Sequence, residues 1–135
     1  MDLVIDANIL FAVCIKSGKT EEIIFSEEIH LFAPEFIFQE FSKYKELLLE
    51  KTNRSEEEFY KLLSILRKRI TIISNEETEH FIVLAKKTSP DPKDADYFAL
   101  ALKLNCAIWS NDKKLNEQKK VSIISTEYIL KLLNL

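Results

Sequence analysis

Short apolar runs alternate with longer helical patterns along this chain, and this alternation restricts the fold more than any other feature. The strand candidates are residues 3–6, 30–33, 70–74, 107–110 and 121–125. These runs are almost continuously apolar, which is typical of parallel strands that are covered on both faces. The pattern therefore predicts an α/β fold with three layers, an α/β/α sandwich around a parallel sheet.

Helical patterns fill the intervals between the strand candidates, at residues 8–14, 20–25, 34–51, 55–69, 76–87, 92–104 and 126–133. Two of them carry start signals. Ser55 precedes a run of glutamates that includes Glu58, which predicts a capping box, and Asp91 precedes Pro92, which suits a first helical turn. The chain has 135 residues, of which 47% are hydrophobic. This length and composition predict a single globular domain spanning residues 1–135.

Composition excludes several classes of protein. Gly18 is the only glycine, whereas a P-loop or a dinucleotide-binding fold needs several glycines beside phosphate. No apolar run approaches the roughly 20 residues of a membrane helix, and the acidic N-terminus lacks the basic segment of a secretory signal. Cys14 and Cys106 have no metal-ligand spacing, and neither have His30 and His80. We therefore expect a cytoplasmic protein with reduced cysteines.

The charge of the chain leaves the nature of its partner open. The net charge is -3, which at first argues against a polyanion, but bound metal ions would reverse the sign at an acidic site. Each of two basic stretches is compatible with a nucleic-acid contact or with a solvated helix face. The first consists of Lys51, Arg54, Lys61, Arg67, Lys68 and Arg69, and the second of Lys113, Lys114, Lys119 and Lys120.

Two acidic residues lie at the ends of strand candidates. Asp6 follows the first strand directly, and Asp112 comes just after the fourth. Functional sites of parallel sheets lie beyond the carboxyl ends of the strands, near the point where the strand order reverses. Each residue could alternatively cap the helix that follows it.

A third acid, Glu40, falls within an apolar helical stripe. A carboxylate in this position is costly unless it is paired with a cation or with hydrogen-bond donors, although a glutamate at the margin could reach solvent. The stripe consists of Ile37, Phe41, Tyr44, Leu47 and Leu48.

The fourth acid, Asp94, shares a helix face with Tyr97 and Phe98, while Asp96 projects from nearly the opposite side. Asp94 could alternatively complete a capping box with Asp91. Four converging carboxylates repel one another and therefore need cations. Ligation by oxygen alone favours Mg²⁺ or Mn²⁺ over zinc.

In these motifs the chain resembles the PIN-domain family, which includes VapC-type toxins and archaeal nucleases. The matching segments are residues 3–8, 33–35 leading to Glu40, 91–102 and 109–112, in the order that the family has them. The resemblance implies a five-stranded parallel sheet of order 3-2-1-4-5 and an endoribonuclease selective for single-stranded RNA. It also implies that Asp6, Glu40, Asp94 and Asp112 bind the metal. Ser110 matches the residue that helps to orient the site.

The resemblance further makes Asn8 the polar partner that follows the first acid. For the third acid it allows Asp94 or Asp96, and the helix face favours Asp94. Because family members often dimerise and the toxins pair with antitoxins, a homodimer and an antitoxin partner are further expectations.

Other functions are compatible with parts of this pattern. A phosphatase of the haloacid-dehalogenase type needs a second aspartate where this chain has Asn8. A receiver domain needs a lysine after the last strand, where this chain has Thr126 and Glu127. The remaining alternative is a catalytically weak protein of PIN fold that acts as a protein- or RNA-binding module.

Overall fold

A five-stranded parallel sheet forms the centre of the protein. The structure is a computed structural model that describes residues 1–16 and 18–135. Its strand order, β3-β2-β1-β4-β5, confirms the predicted order. The chain builds outwards from β1 on one side and then returns to add β4 on the other, so the order reverses between β1 and β4. The strands are β1 (Asp2–Ile5), β2 (His30–Pro34), β3 (Ile70–Ile73), β4 (Ala107–Trp109) and β5 (Ile123–Ile124).

Helices cover both faces of this sheet, which confirms the three-layer sandwich. The capping box at Ser55 and the cap at Asp91 form as predicted. In the described residues the helices are α1 (Ala7–Ile15), α2 (Lys19–Phe25), α3 (Ile37–Lys43), α4 (Lys45–Thr52), α5 (Glu56–Arg69), α6 (Asn75–Thr78), α7 (Ile82–Thr88), α8 (Ala95–Leu104) and α9 (Thr126–Leu133).

Burial on both faces explains why the strands are continuously apolar. Leu3, Val4 and Ile5 of β1 are all 1% exposed or less, so alternate side chains enter the core on opposite sides of the sheet. Residue Leu3 is in register with Leu31 on one side and with Ala107 on the other. Full burial of a side chain of this size contributes about 1.5–3 kcal/mol, so β1 is a rigid support for the residues that follow it.

The prediction of one helix over residues 34–51 is wrong. Pro34 ends β2, and the helical segment is divided at Tyr44, whose backbone (φ -100°, ψ 14°) departs from helical geometry. Both α3 and α4 pack against α1, and Phe41 of α3 and Leu48 of α4 are both buried. Tyr44 and Leu47, which the apolar stripe placed inward, are instead 39% and 46% exposed.

Three other segments differ from the prediction by more than one residue. A 3₁₀ turn (Pro92–Asp94) precedes α8, so the helix predicted from Pro92 begins at Ala95. The segment predicted as one helix over residues 76–87 is divided into α6, a 3₁₀ turn (Glu79–Phe81) and α7. Only two residues of the run 121–125 pair as a strand. None of these changes moves an acidic residue away from the carboxyl edge of the sheet.

Among the described residues, no helix combines the length and the apolar character that crossing a bilayer requires.

Candidate functional site

A cavity of about 660 Å³ opens beside the carboxyl end of β1. Five of the six predicted site residues line it, and the sixth, Ser110, lies behind it against Asp6. The cavity is lined by Asp6, Ala7, Asn8, Phe11, Phe36, Glu40, Tyr44, Asp91, Lys93, Asp94, Tyr97 and Asp112.

Asp6 is the most buried of these acids, with 8% of its surface exposed. Its carboxylate accepts hydrogen bonds from the backbone N–H of Asn8 and from the Ser110 hydroxyl, the latter at 2.6 Å. Burial raises the pKa of Asp6; these two hydrogen bonds lower it, and the negative charge of Asp112 raises it again. Asp6 therefore caps α1 and lines the cavity at once.

Asp94 is half-buried at the start of α8 and makes no side-chain cap hydrogen bond. Asp91 is the cap residue, as this alternative requires, and accepts from the Lys93 backbone N–H. Among the described residues the Asp94 carboxylate makes no hydrogen bond back to Asp91, so no capping box forms. Burial, followed by the negative charges of Asp6, Asp91 and Asp112, raises the pKa of Asp94 to about 6.

Asp96 lies elsewhere. It lines a separate cavity with Glu79 and Ile82, on the other side of α8 from the acid cavity. The structure thus brings Asp94, but not Asp96, to the carboxyl edge of the sheet.

Glu40 and Asp112 complete the acidic part of the cavity wall. Glu40 lies in the first turn of α3 and is half-buried. Asp112 is exposed and caps the 3₁₀ turn Lys113–Glu117 by accepting from the Lys114 backbone N–H at 3.0 Å. Asp112, like Asp6, therefore combines a capping role with a place in the cavity wall.

Ser110 connects two of the acids through one buried hydroxyl. Its Oγ donates to Asp6 and accepts from the backbone N–H of Asp112 at 3.1 Å. The side chain is only 2% exposed, so both hydrogen bonds are shielded from water. This arrangement fixes the orientation of the Asp6 carboxylate and the position of the chain at Asp112.

Ser110→Ala is expected to lower the free energy of unfolding by about 1–3 kcal/mol, because it leaves buried hydrogen-bonding groups unpaired. Urea denaturation of the metal-free protein measures this change. Ser122→Ala, at an exposed position just before β5, is the matched control and is expected to have a much smaller effect. Equal losses for the two variants would contradict the linking role of Ser110.

Four aromatic side chains also line the cavity, and sequence reasoning singled out two of them. Phe36 and Tyr97 meet edge to face with ring centroids 5.4 Å apart, as do Phe11 and Tyr44. Burial raises the pKa of Tyr97, and the charges of nearby acids including Asp6 raise it further. Tyr97 and Tyr44 had signals in the sequence, from their places on the Asp94 face and in the Glu40 stripe. Phe11 and Phe36 had none.

The residues of the cavity suit a hard divalent cation. The ligand candidates supply oxygen atoms, and none of the four predicted metal-binding acids forms a salt bridge within the described residues. No three His, Cys, Asp or Glu side chains in residues 1–16 and 18–135 form a preformed metal-binding group. Magnesium tolerates such an arrangement, because it keeps several waters and needs only one or two protein carboxylates beside substrate phosphates.

Comparison with known proteins identifies a family and similar solved structures. The model of the PIN domain family matches residues 4–130. The crystal structure of PAE2754 from Pyrobaculum aerophilum is similar, with a TM-score of 0.66 and 18% sequence identity over 99% of this chain and 90% of that one. At this identity the likeness concerns the fold. No curated protein matches the chain.

Proposed function

Because this chain belongs to the PIN-domain family, whose members are generally metal-dependent nucleases, we propose that it is an endoribonuclease. It hydrolyses phosphodiester bonds of single-stranded RNA with the help of Mg²⁺ or Mn²⁺. The observation that carries this proposal is the convergence of Asp6, Glu40, Asp94 and Asp112 on one cavity at the carboxyl edge of the sheet.

In this proposal each polar residue has a distinct task. Asp6, Asp94 and Asp112 would hold the ion, and Glu40 would bind a second ion or orient the attacking water. When bound, the ion supplies positive charge beside the phosphate and acidifies water. Ser110 keeps the Asp6 carboxylate in one orientation by donating its hydrogen bond. Asn8, at the mouth of the cavity, contributes an amide that can donate to a phosphate oxygen.

Aromatic rings in the cavity wall support a single-stranded substrate. Unpaired bases are free to stack on Phe36, which is half-buried, or on the more exposed Tyr44, whereas bases in a duplex are already stacked on one another. The cytoplasm is the proposed location, in keeping with the free thiols of Cys14 and Cys106. Three further expectations stay predictions: that the protein is the toxin of a toxin–antitoxin pair, that it binds an antitoxin, and that it forms a homodimer.

Cleavage of a mixed single-stranded RNA tests the proposal. Fragments are expected with Mn²⁺ and not with EDTA, and Asp94→Asn is expected to slow cleavage about a hundredfold or more, because it removes charge beside the reacting phosphate. Asp96→Asn is the matched control, since its side chain lines a different cavity, and it is expected to cleave like the unmodified protein. Cleavage that survives EDTA and Asp94→Asn would refute the proposal.

The alternative is a catalytically weak module of PIN fold that binds RNA or protein. RNA binding without cleavage in either Mg²⁺ or Mn²⁺ would favour this alternative.

A further inference from the structure

A second cavity adjoins the acid cavity at Asp112, which lines both. Its volume is about 740 Å³, and it lies between the 3₁₀ turn Lys113–Glu117, β5 and the start of α9. We call it the lysine groove. It is defined by Lys113, Asn116, Gln118, Lys119 and Tyr128.

Two lysines supply the positive charges of this groove. Lys113 and Lys119 are exposed, and in the part of the chain that the structure describes neither forms a salt bridge. The groove also contains Asp112, at its junction with the acid cavity, and Glu127, whose carboxylate lies 3.5 Å from Lys131 Nζ. Both groove lysines are therefore available to an anionic ligand.

Hydrogen bonds hold the floor of the groove in place without a ligand. The Gln118 amide donates to the carbonyl oxygens of Leu115 and Val121, at 2.9 and 2.8 Å, and accepts from the Val121 backbone N–H. Above this floor, Tyr128 is 51% exposed. A preformed polar floor beside an exposed aromatic ring matches the way in which proteins bind single strands, with phosphates on cations and bases on rings.

Two arginines of the first basic stretch, in contrast, form hydrogen bonds within the fold. The Arg54 side chain donates to the Cys14 carbonyl oxygen, and Arg69 donates to the carbonyl oxygens of Ile24 and Ser26. These guanidinium groups fasten loops and helix ends. Charge alone does not distinguish the two basic stretches. In the structure only the second stretch, through Lys113, lies beside Asp112 and the acid cavity.

We propose that the lysine groove binds the single-stranded RNA on one side of the cleavage point. Lys113 and Lys119 contact backbone phosphates, and Tyr128 stacks on a base. The identity of the ligand rests on the proposed nuclease function, because the RNA passes from the acid cavity into the groove across Asp112.

Fluorescence anisotropy of labelled oligouridine RNA in EDTA tests the groove without cleavage. The double variant Lys113→Ala/Lys119→Ala is expected to bind about tenfold more weakly, and the slope of log K against log salt is expected to fall by about 1.4, or 0.7 for each lost phosphate contact. Lys61→Ala/Lys68→Ala removes the same charge from exposed positions of α5 and is expected to change affinity less than about twofold.

Variants of Tyr128 test stacking separately from charge. Tyr128→Ala is expected to weaken binding about fivefold or more, whereas Tyr128→Phe keeps the ring and the affinity. Unchanged RNA binding by Lys113→Ala/Lys119→Ala and by Tyr128→Ala would overturn the inference. An equal loss of affinity in the α5 control would overturn it as well. The cleavage assay tests the nuclease proposal separately. If RNA binding depends on the groove but no RNA is cleaved, the nuclease proposal is refuted and the groove proposal stands.

Discussion

Asp6→Asn is expected to reduce Mn²⁺-dependent RNA cleavage by roughly 10²–10⁴-fold, the largest loss among the acids, because it removes the most central negative charge of the site. Asp6 is the only one of the four acids that is buried, and it is fixed by two hydrogen bonds. An ion bound there would therefore have its position set mainly by this carboxylate. Initial rates with a fluorescent single-stranded RNA, at saturating Mn²⁺, measure the effect.

This variant is expected to remain folded. The asparagine side-chain oxygen can still accept from the Asn8 backbone N–H or from Ser110, and asparagine is a good helix cap. Burial of the charge raises the pKa of Asp6, which means that the buried charge is unfavourable in the folded state. The Asp6→Asn protein should therefore unfold in EDTA at the same or a higher temperature. Loss of activity can then be assigned to the site and not to the fold.

Asp2→Asn is the matched control for Asp6→Asn. Asp2 lies at the amino end of the same strand, where its carboxylate is 3.2 Å from His30 Nδ1 on the surface. Removing its charge is expected to leave cleavage within about twofold of the original rate, because exposed charges this far along a strand are screened by solvent. Equal losses for the two variants would show that cleavage responds to total charge and would contradict the role of Asp6.

The sequence predicts the sheet and its acidic edge well because both depend on local pattern. Continuous apolar runs identify the strands, and the end of a strand marks the site edge. Asp6 follows β1 and Ser110 follows β4, and the register of Ile5 with Trp109 places the two side by side. Once the strand order is known, this neighbourhood follows from chain geometry.

The helices are predicted less well because their boundaries depend on tertiary packing. The local pattern around Tyr44 supports an uninterrupted helix, whereas in the folded chain the helices on both sides of the break pack against α1. The use of Arg54 and Arg69 is hidden for the same reason, since their carbonyl partners lie 40 and 45 residues away in the chain. A sequence shows the charge of such residues but not the groups that they meet.

The metal-free protein is expected to lose stability as pH rises from about 4 to about 6 through the titration of Asp94. Its pKa is raised from 3.8 to about 6, so in this window the folded state holds a proton that the unfolded state has released. Stability from this group is therefore fully present below pH 4 and is lost as pH rises to 6. We expect a loss of roughly 1–2 kcal/mol, less than the full shift implies because Asp94 is partly solvated.

A divalent cation is expected to reverse this loss, because it favours the ionised carboxylates that repel one another without it. At a Mn²⁺ concentration about 100 times its Kd, binding to the folded state adds about 2.7 kcal/mol. The added stability should grow as pH rises through 6. Asp94→Asn removes both effects together, giving a flatter pH profile in EDTA and a smaller response to Mn²⁺.

Urea denaturation between pH 4 and pH 7.5, in EDTA and in Mn²⁺, compares the protein with Asp94→Asn, and Asp96→Asn serves again as the control. Subtracting the unfolding free energy of Asp94→Asn from that of the protein at each pH isolates the contribution of Asp94, because the other carboxylates are present in both proteins. Parallel profiles for the protein and Asp94→Asn in EDTA would show that Asp94 carries no repulsion. An equal response of the two to Mn²⁺ would show that the ion binds away from this carboxylate, because a group that touches the ion cannot lose its charge without weakening the binding.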